Sequence, residues 1–459
     1  MSFRSRLARA AQTHPSLPSL PLAPSPSPAP ASPEPELDPA PQAPKKSAVL
    51  DDLRAKMTAI LERSPLGAAI PPPRAVDTED LPFVTQETPR GPLHVRTLRL
   101  SPSHRTGRAP LLPAREASAE LLALLALDPS LQSCDPRGAL YLDTETTGLS
   151  GGTGTVAFLV GLAFWKDGAL VVEQLLVREL GEEAPMLERV AARLREATML
   201  VTFNGKAFDM PLLRTRFVLS RAEVPEAGAT PHLDLLHVAR RLHRPRGIAC
   251  RLTTIERDIL GFERANDVDS ADVSACYWHF QRTGDTSALM RVVEHNAWDV
   301  VTMASLVGLY GEPLEGSQLD PEDLVGVART LKRAGAMDGA MAAAQTAIDR
   351  GAGHESMRVR AEIAKARGDR ARALLDYAAL SEKIDCDRVR LELAKLYEHY
   401  VKEPARALAL VAQGTGESEP ARQHRAARLA RKAEKAKETR SAGAEYVAQR
   451  YMFDDKSTV

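Results

Sequence analysis

Cysteine is scarce in this 459-residue chain. Its four, Cys134, Cys250, Cys276 and Cys386, lie far apart and form neither a CxxC zinc pair nor a dense disulfide framework. A reducing compartment is therefore expected. No stretch reaches the roughly 18 consecutive apolar residues of a membrane-spanning helix. The Arg-rich segment from Met1 to Gln12 is followed by no apolar core of a signal peptide, which points to the cytoplasm, with an organelle transit peptide as the alternative. Excess charge is also missing. Lys plus Arg and Asp plus Glu each total 60, so the chain cannot coat a polyanion by overall attraction, and any nucleic-acid contact must be local. Aromatics are only 5%, but 44% of the residues are hydrophobic, enough for a core, and the length suits two or three folded units.

Proline is the exception to this economy. Twelve prolines fall between Pro15 and Pro44 among Ser, Ala and Glu, a composition that buries too little surface to offset chain entropy, so residues 1–47 read as a disordered tail. Residues 48–130 read as an extension. It holds a short amphipathic helix with Val49, Leu53, Met57 and Leu61 on one face, a small β element around Leu93–Leu98, and a Leu/Ala-rich helix from Glu116 to Leu127.

Between 131 and 312 the order of elements becomes specific. Ala139–Leu142, Val156–Phe164 and Ala169–Val177 read as three successive antiparallel strands, the last two joined at Lys166-Asp167-Gly168. Helical spacing over Ala184–Glu196 precedes a fourth strand, Met199–Phe203, which a helical crossover would lay parallel to the first. This is an α/β domain with a mixed sheet covered by helices. From 320 to 415 Ala-rich helices follow. Ala328, Ala361 and Ala394 are spaced by 33 residues, and Ala340, Ala373 and Ala407 by 33 and 34, with turns near Gly335, Gly368 and Lys402. Such a period predicts tetratricopeptide-like helical repeats, and a plain helical bundle is the alternative. Residues 416–459 form a basic C-terminal helix or tail, with eight Lys or Arg between Arg422 and Arg440.

The first strand ends in Asp143-Thr144-Glu145-Thr146-Thr147-Gly148. Residues two apart on a strand share a face, so Asp143 and Glu145 project together, and a pair of carboxylates that close calls for a hard divalent cation such as Mg²⁺ or Mn²⁺. The fourth strand leads through Asn204-Gly205-Lys206 to Asp209 at a helix start. A later helix carries His295 and Asp299 four apart on one face. Arg240, Arg241, Arg244, Arg246 and Arg251 fall within a dozen residues, and on a loop they could neutralise phosphates; solvated helix-end charge is the other reading. Phe203 and Phe208 could stack on a terminal base, although core packing is their commoner use. His232 and Asp234 mark a further strand end without an assigned metal role.

These residues resemble the motifs of the DEDD exonuclease superfamily of the ribonuclease H-like fold. Asp143-Thr-Glu145-Thr-Thr-Gly is similar to its first motif, Asn204 through Asp209 to its second, and Asp299 to its third. The stretches Thr147 to Phe158, Leu252-Thr-Thr-Ile-Glu256 through Gly261, and His295-Asn296 resemble a bacterial branch of that superfamily, the YprB type. The similarity spans about Glu87 to Tyr310.

The resemblance implies a 3′-to-5′ exonuclease on DNA or RNA, with a single-stranded 3′ end as substrate and two Mg²⁺ or Mn²⁺ ions held by Asp143, Glu145, Asp209 and Asp299. His295 would act as general base, and Thr146, Gly148, Asn204 and the arginines would contact nucleic acid. One departure stands out. The superfamily places a Tyr four residues before the third-motif Asp or a His five before it, whereas here a His stands four before and Glu294 five before. Two other readings remain. One is an inactive ribonuclease H-like nucleic-acid-binding or scaffold protein that binds a protein partner through its repeats; the other is an endonuclease or phosphotransferase.

Overall fold

A computed structural model describes residues 81–148, 154–222 and 230–454. The proline-rich tail, the amphipathic helix at 49–61 and the glycine-rich stretch at 149–153 lie outside the described residues. The apolar run Ala139–Thr146 forms β5, an inner strand of a seven-stranded sheet. The other strands are β1 (Val84–Thr88), β2 (Gly91–Leu100), β6 (Ala157–Lys166), β7 (Ala169–Leu176), β8 (Met199–Thr202) and β9 (His232–Asp234), while β3 (Arg105–Thr106) and β4 (Ala109–Pro110) form a separate ribbon. The sheet order is β1-β2-β7-β6-β5-β8-β9. β5, β6 and β7 are antiparallel neighbours, and β8 and β9 run parallel to β5 and β8.

Two features of the sequence reading are corrected here. The β element of the N-terminal extension is not separate: β2 pairs with β7 from His94 to Leu100, so residues ahead of 131 complete the sheet. Its long strand has backbone donors and acceptors to satisfy, and the open edge of β7 supplies them. The helix expected over Glu116–Leu127 is also shorter. It is α2 (Ala119–Ala126), because Ser118 takes the N-cap position and its hydroxyl accepts the Leu121 amide, and a separate short helix, α1 (Leu112–Arg115), precedes it.

The sheet is covered on both faces. Leu140 and Leu142 of β5 pack with Met186, Leu187, Val190 and Leu213 of α3 (Glu183–Glu196) and α4 (Asp209–Leu219). Tyr141 faces the other core, which α5 (Leu235–Leu242), α6 (Leu252–Ile255) and the 25-residue α8 (Ser287–Gly311) share, with α8 packed directly on β5, β6 and β7, while α7 (Val273–Thr283) packs in a third cluster with Phe158, Leu159 and Leu176. α8 has 19 buried residues, consistent with a helix wedged between the sheet and the elements behind it.

Three helical hairpins follow: α9 (Pro321–Ala334) with α10 (Met337–Asp349), α11 (His354–Arg367) with α12 (Arg370–Lys383), and α13 (Asp387–Leu396) with α14 (Pro404–Ala412). The periodic alanines 328, 340, 361, 373, 394 and 407 are all buried, and Gly335, Gly368 and Lys402 end the first helix of each hairpin at positive φ (85°, 85° and 62°). A long helix, α15 (Glu419–Asp454), comes last. Its Arg428 and Lys432 meet Glu398, whose side chain is 1% exposed. The hairpins continue the core of the sheet domain. Gly326 of α9 lies so close to the end of α5 that a Cβ there would stand 2.6 Å from the Leu242 carbonyl oxygen. No helix among the described residues is long and apolar enough to cross a membrane.

Candidate active site

Alternation along β5 decides which side chains meet. Tyr141 points to the α8 face and Leu140 and Leu142 to the α3–α4 face, so Asp143 and Glu145 look toward α8 and Thr144 away from it. α8 answers with His295 and Asp299, one helical turn apart. Nε2 of His295 lies 3.9 Å from Glu145 Oε1 and 3.6 Å from Asp299 Oδ2, and one ligand atom from each of these three buried residues falls within 4.8 Å of the others. Helix geometry also explains the departure in the third motif: the residue four before Asp299 shares its face, whereas Glu294, five before, is exposed.

Asp143 is held by a residue the sequence reading gave no role. Asn296 Nδ2 donates to Asp143 Oδ2 at 2.9 Å, Gln174 Nε2 donates to Asn296 Oδ1 at 3.0 Å, and Arg96 Nη1 donates to Gln174 Oε1 at 2.9 Å. This relay follows one row of the sheet, in which Asp143 pairs with Gly161, Gly161 with Gln174, and Gln174 with Arg96. Gly161 makes room for it, since a Cβ there would stand 2.3 Å from Asn296 Oδ1. A lone glycine inside the apolar run Ala157–Trp165 was the sequence signal for such a close approach.

Arg264 was missed as well. Its side chain is 3% exposed and ion-paired with Glu256 (2.7 Å) and with Oδ1 of Asp299. Glu256 opens a π-turn (Glu256–Leu260) and also accepts from Thr302. His295 Nδ1 lies 2.6 Å from Asp267 Oδ1, so this nitrogen carries the proton donated to Asp267. Only a fork-shaped donor reaches Glu256 and Asp299 together, and a sequence reading has no way to see a partner 35 residues away.

Crowding sets the protonation of the cluster. Desolvation, then the charges of Asp299, Glu145 and Asp209, raises the Asp143 carboxyl far above the usual carboxylate range. Desolvation pushes Glu145 up to about 8 against the opposing pull of His295. Asp209 is pushed up to about 6 by burial despite its hydrogen bonds. For His295, burial opposes the charged form, but Asp299, Glu145 and Asp267 outweigh it and raise the pKa. Burial opposes the charge of Arg264 too, and Asp299 and Glu256 more than offset it. Two acids and one imidazole that approach one another this closely, Glu145, Asp299 and His295, fit a divalent cation.

Asp209 begins α4 on the opposite face of β5, where Thr144 Oγ1 donates to it at 2.5 Å; it couples electrostatically to Asp143 and Glu145 but is not one of the tight triad. Thr146 donates to the Gly148 carbonyl at 3.0 Å. Asn204 is exposed at φ 72°, and its backbone N–H and that of Lys206 donate to Asp234, which gives Asp234 a structural role. His232 bonds Thr202 at 2.8 Å. Phe203 packs against the core.

The arginine cluster is not the loop expected. Arg240 and Arg241 belong to α5, Arg241 donates to the Leu125 carbonyl, and Arg246 is paired with Asp320 and Asp323 of the first hairpin. Packing of the hairpins against this region commits those two side chains to structure. Arg240 and Arg244 are exposed.

Residues 140–310 match a family model described as the RNase H superfamily. The chain is also similar to a Bacillus subtilis (strain 168) protein described as the uncharacterized protein YprB, at 36% identity over 177 residues. That stretch covers 39% of this chain and 43% of the relative, so this chain spans less than half of that protein's length. The matched span contains the Glu145–His295–Asp299 cluster.

Proposed function

We propose that the protein is a metal-dependent 3′-to-5′ exonuclease acting on DNA or RNA, of the DEDD type. The observation that carries this reading is the meeting of Glu145, His295 and Asp299 within 4.8 Å at the carboxyl end of the inner strand β5, in the span that matches the RNase H superfamily. A bound pair of Mg²⁺ or Mn²⁺ ions would supply an activated water and neutralise charge on the leaving oxygen. Asp143, Glu145 and Asp299 would hold that pair, with Asp209 from the far side of the strand. Asn296 fixes the Asp143 carboxylate, and Arg264 fixes that of Asp299. Exposed Asn204, Arg240 and Arg244, with the backbone at Thr146 and Gly148, support a path for a single-stranded 3′ end.

The hairpins, read as tetratricopeptide-like repeats, line a cavity of about 390 Å³ in which Arg329, Lys332, Arg358 and Lys365 are paired with Glu355, Glu362 and Glu392, and this mixed-charge surface is our candidate for the contact with a protein partner. A cytoplasmic setting accords with the reduced cysteines. The test is incubation of the full chain with end-labelled single-stranded and duplex oligonucleotides, with Mg²⁺, Mn²⁺ or chelator. The expected result is a ladder of products shortened from the 3′ end with metal only, lost in Asp143→Asn while the circular-dichroism spectrum is unchanged. Intact substrate under all metal conditions would leave the inactive scaffold as the reading.

A further inference from the structure

The geometry points to His295 as a metal ligand through Nε2 rather than the general base expected from its motif, forming with Glu145 and Asp299 a mixed nitrogen–oxygen site that prefers a transition ion such as Mn²⁺ to Mg²⁺. The inference rests on the metal-dependent reading above and specifies its ion.

The tautomer comes first. At 2.6 Å from Asp267 Oδ1, His295 Nδ1 must carry a proton; two lone pairs at that distance would repel. Nδ1 therefore does not accept from Arg264 Nη1, 3.1 Å away, and the lone pair of a neutral ring is left on Nε2. That atom belongs to a residue only 6% exposed. It faces two carboxylate oxygens at 3.6 and 3.9 Å, too far for the charge-assisted hydrogen bonds of about 2.7–2.9 Å that an imidazolium would draw in. Donor atoms each about 2.1 Å from one ion can lie up to about 4.2 Å apart, so both separations fit a shared cation.

The outer contacts of these ligands are built in the same sense. Asp267 takes the remote nitrogen of the imidazole, the usual partner of a metal-bound histidine. Arg264 takes Oδ1 of Asp299 and leaves Oδ2 toward Nε2, so Asp299 presents one oxygen. Imidazole nitrogen favours transition ions over Mg²⁺, whose demand is for oxygen.

Mn²⁺ and Mg²⁺ are titrated into the metal-free full-length protein by calorimetry, and the Mn²⁺ complex is examined by pulsed electron paramagnetic resonance. The expected results are about tenfold or greater preference for Mn²⁺ and ¹⁴N modulation from one imidazole. His295→Gln should abolish the modulation and remove the preference. Asp267→Asn, should His295→Gln fail to fold, lowers Mn²⁺ affinity by about 10–100-fold and leaves Mg²⁺ affinity within about twofold of wild type. A wild-type Mn²⁺ complex without nitrogen modulation, or equal affinity for the two ions, overturns the assignment. The outcomes separate from those of the nuclease assay: nucleotide release with no nitrogen coupling rejects the ligand role alone, and nitrogen-coupled Mn²⁺ without release rejects the exonuclease reading alone.

Discussion

Raising the pH of the metal-free protein should loosen it, and the carboxylate cluster sets the size of the effect. Glu145 is pushed up to about 8 in the folded chain from an ordinary 4.5. Because its folded value is the higher one, its contribution to stability is complete below 4.5 and disappears as the pH rises through 8. At about 1.4 kcal/mol per pH unit, that separation amounts to at most ~5 kcal/mol. About 2 of these pH units lie between pH 6 and 8, above the titration of ordinary carboxylates, leaving roughly 3 kcal/mol. His295, also raised, acts in the same direction.

For a domain of this size, each kcal/mol moves Tm by about 2–4 °C, so the melting temperature in chelator should fall by roughly 6–12 °C from pH 6 to pH 8.5. Saturating Mn²⁺ at about 100 times Kd would add about 2.7 kcal/mol and recover most of the fall at the alkaline end. Differential scanning fluorimetry of wild type and Glu145→Gln, each in chelator and in Mn²⁺, measures all of this. Glu145→Gln should show a shallow slope. A chelated wild-type Tm that stays level or rises across this window, or a variant that falls just as steeply, refutes the reasoning.

Gly161→Ala places a methyl where Asn296 Oδ1 now sits, so it should cost about 1–3 kcal/mol in chemical denaturation and weaken metal binding through Asp143, a result that calorimetry checks. Arg264→Met leaves Glu256 and Asp299 as buried unpaired acids and should lower stability by about 3–5 kcal/mol, measured by urea unfolding. Glu398, held down to about 2 by Arg428 and Lys432 against the opposing effect of burial, supports the docking of α15 above its ordinary 4.5 and loses that support as the pH falls toward 2. Glu398→Gln should weaken this docking by roughly 3 kcal/mol and speed hydrogen exchange over residues 419–439.

Much of the sheet domain was legible because its signals are local. Apolar runs bounded by Asp135-Pro136-Arg137-Gly138 and Lys166-Asp167-Gly168 mark β5, β6 and β7, and the carboxylates stand out because Asp143 and Glu145 end an otherwise apolar strand. The buried alanines likewise follow a simple count. What escaped depends on distant pairing. β2 finds its partner 70 or more residues on, Arg264 reads as one charge in a polar loop until α8 is brought beside it, and the helices that take up Arg241 and Arg246 leave no trace in the sequence around those arginines. The role of His295 turns on a single contact with Asp267, 28 residues away, which no motif spacing encodes.

The row from Arg96 to Asp143 begins outside residues 140–310. A fragment trimmed to that homologous span would still carry every acid, but the Gln174 amide oxygen would lose its anchor and the flank of β7 would be stripped of hydrogen-bonding company. Such a piece would invite strand-to-strand clumping and give a false negative in an activity screen, so the borders of sequence similarity are the wrong place to cut.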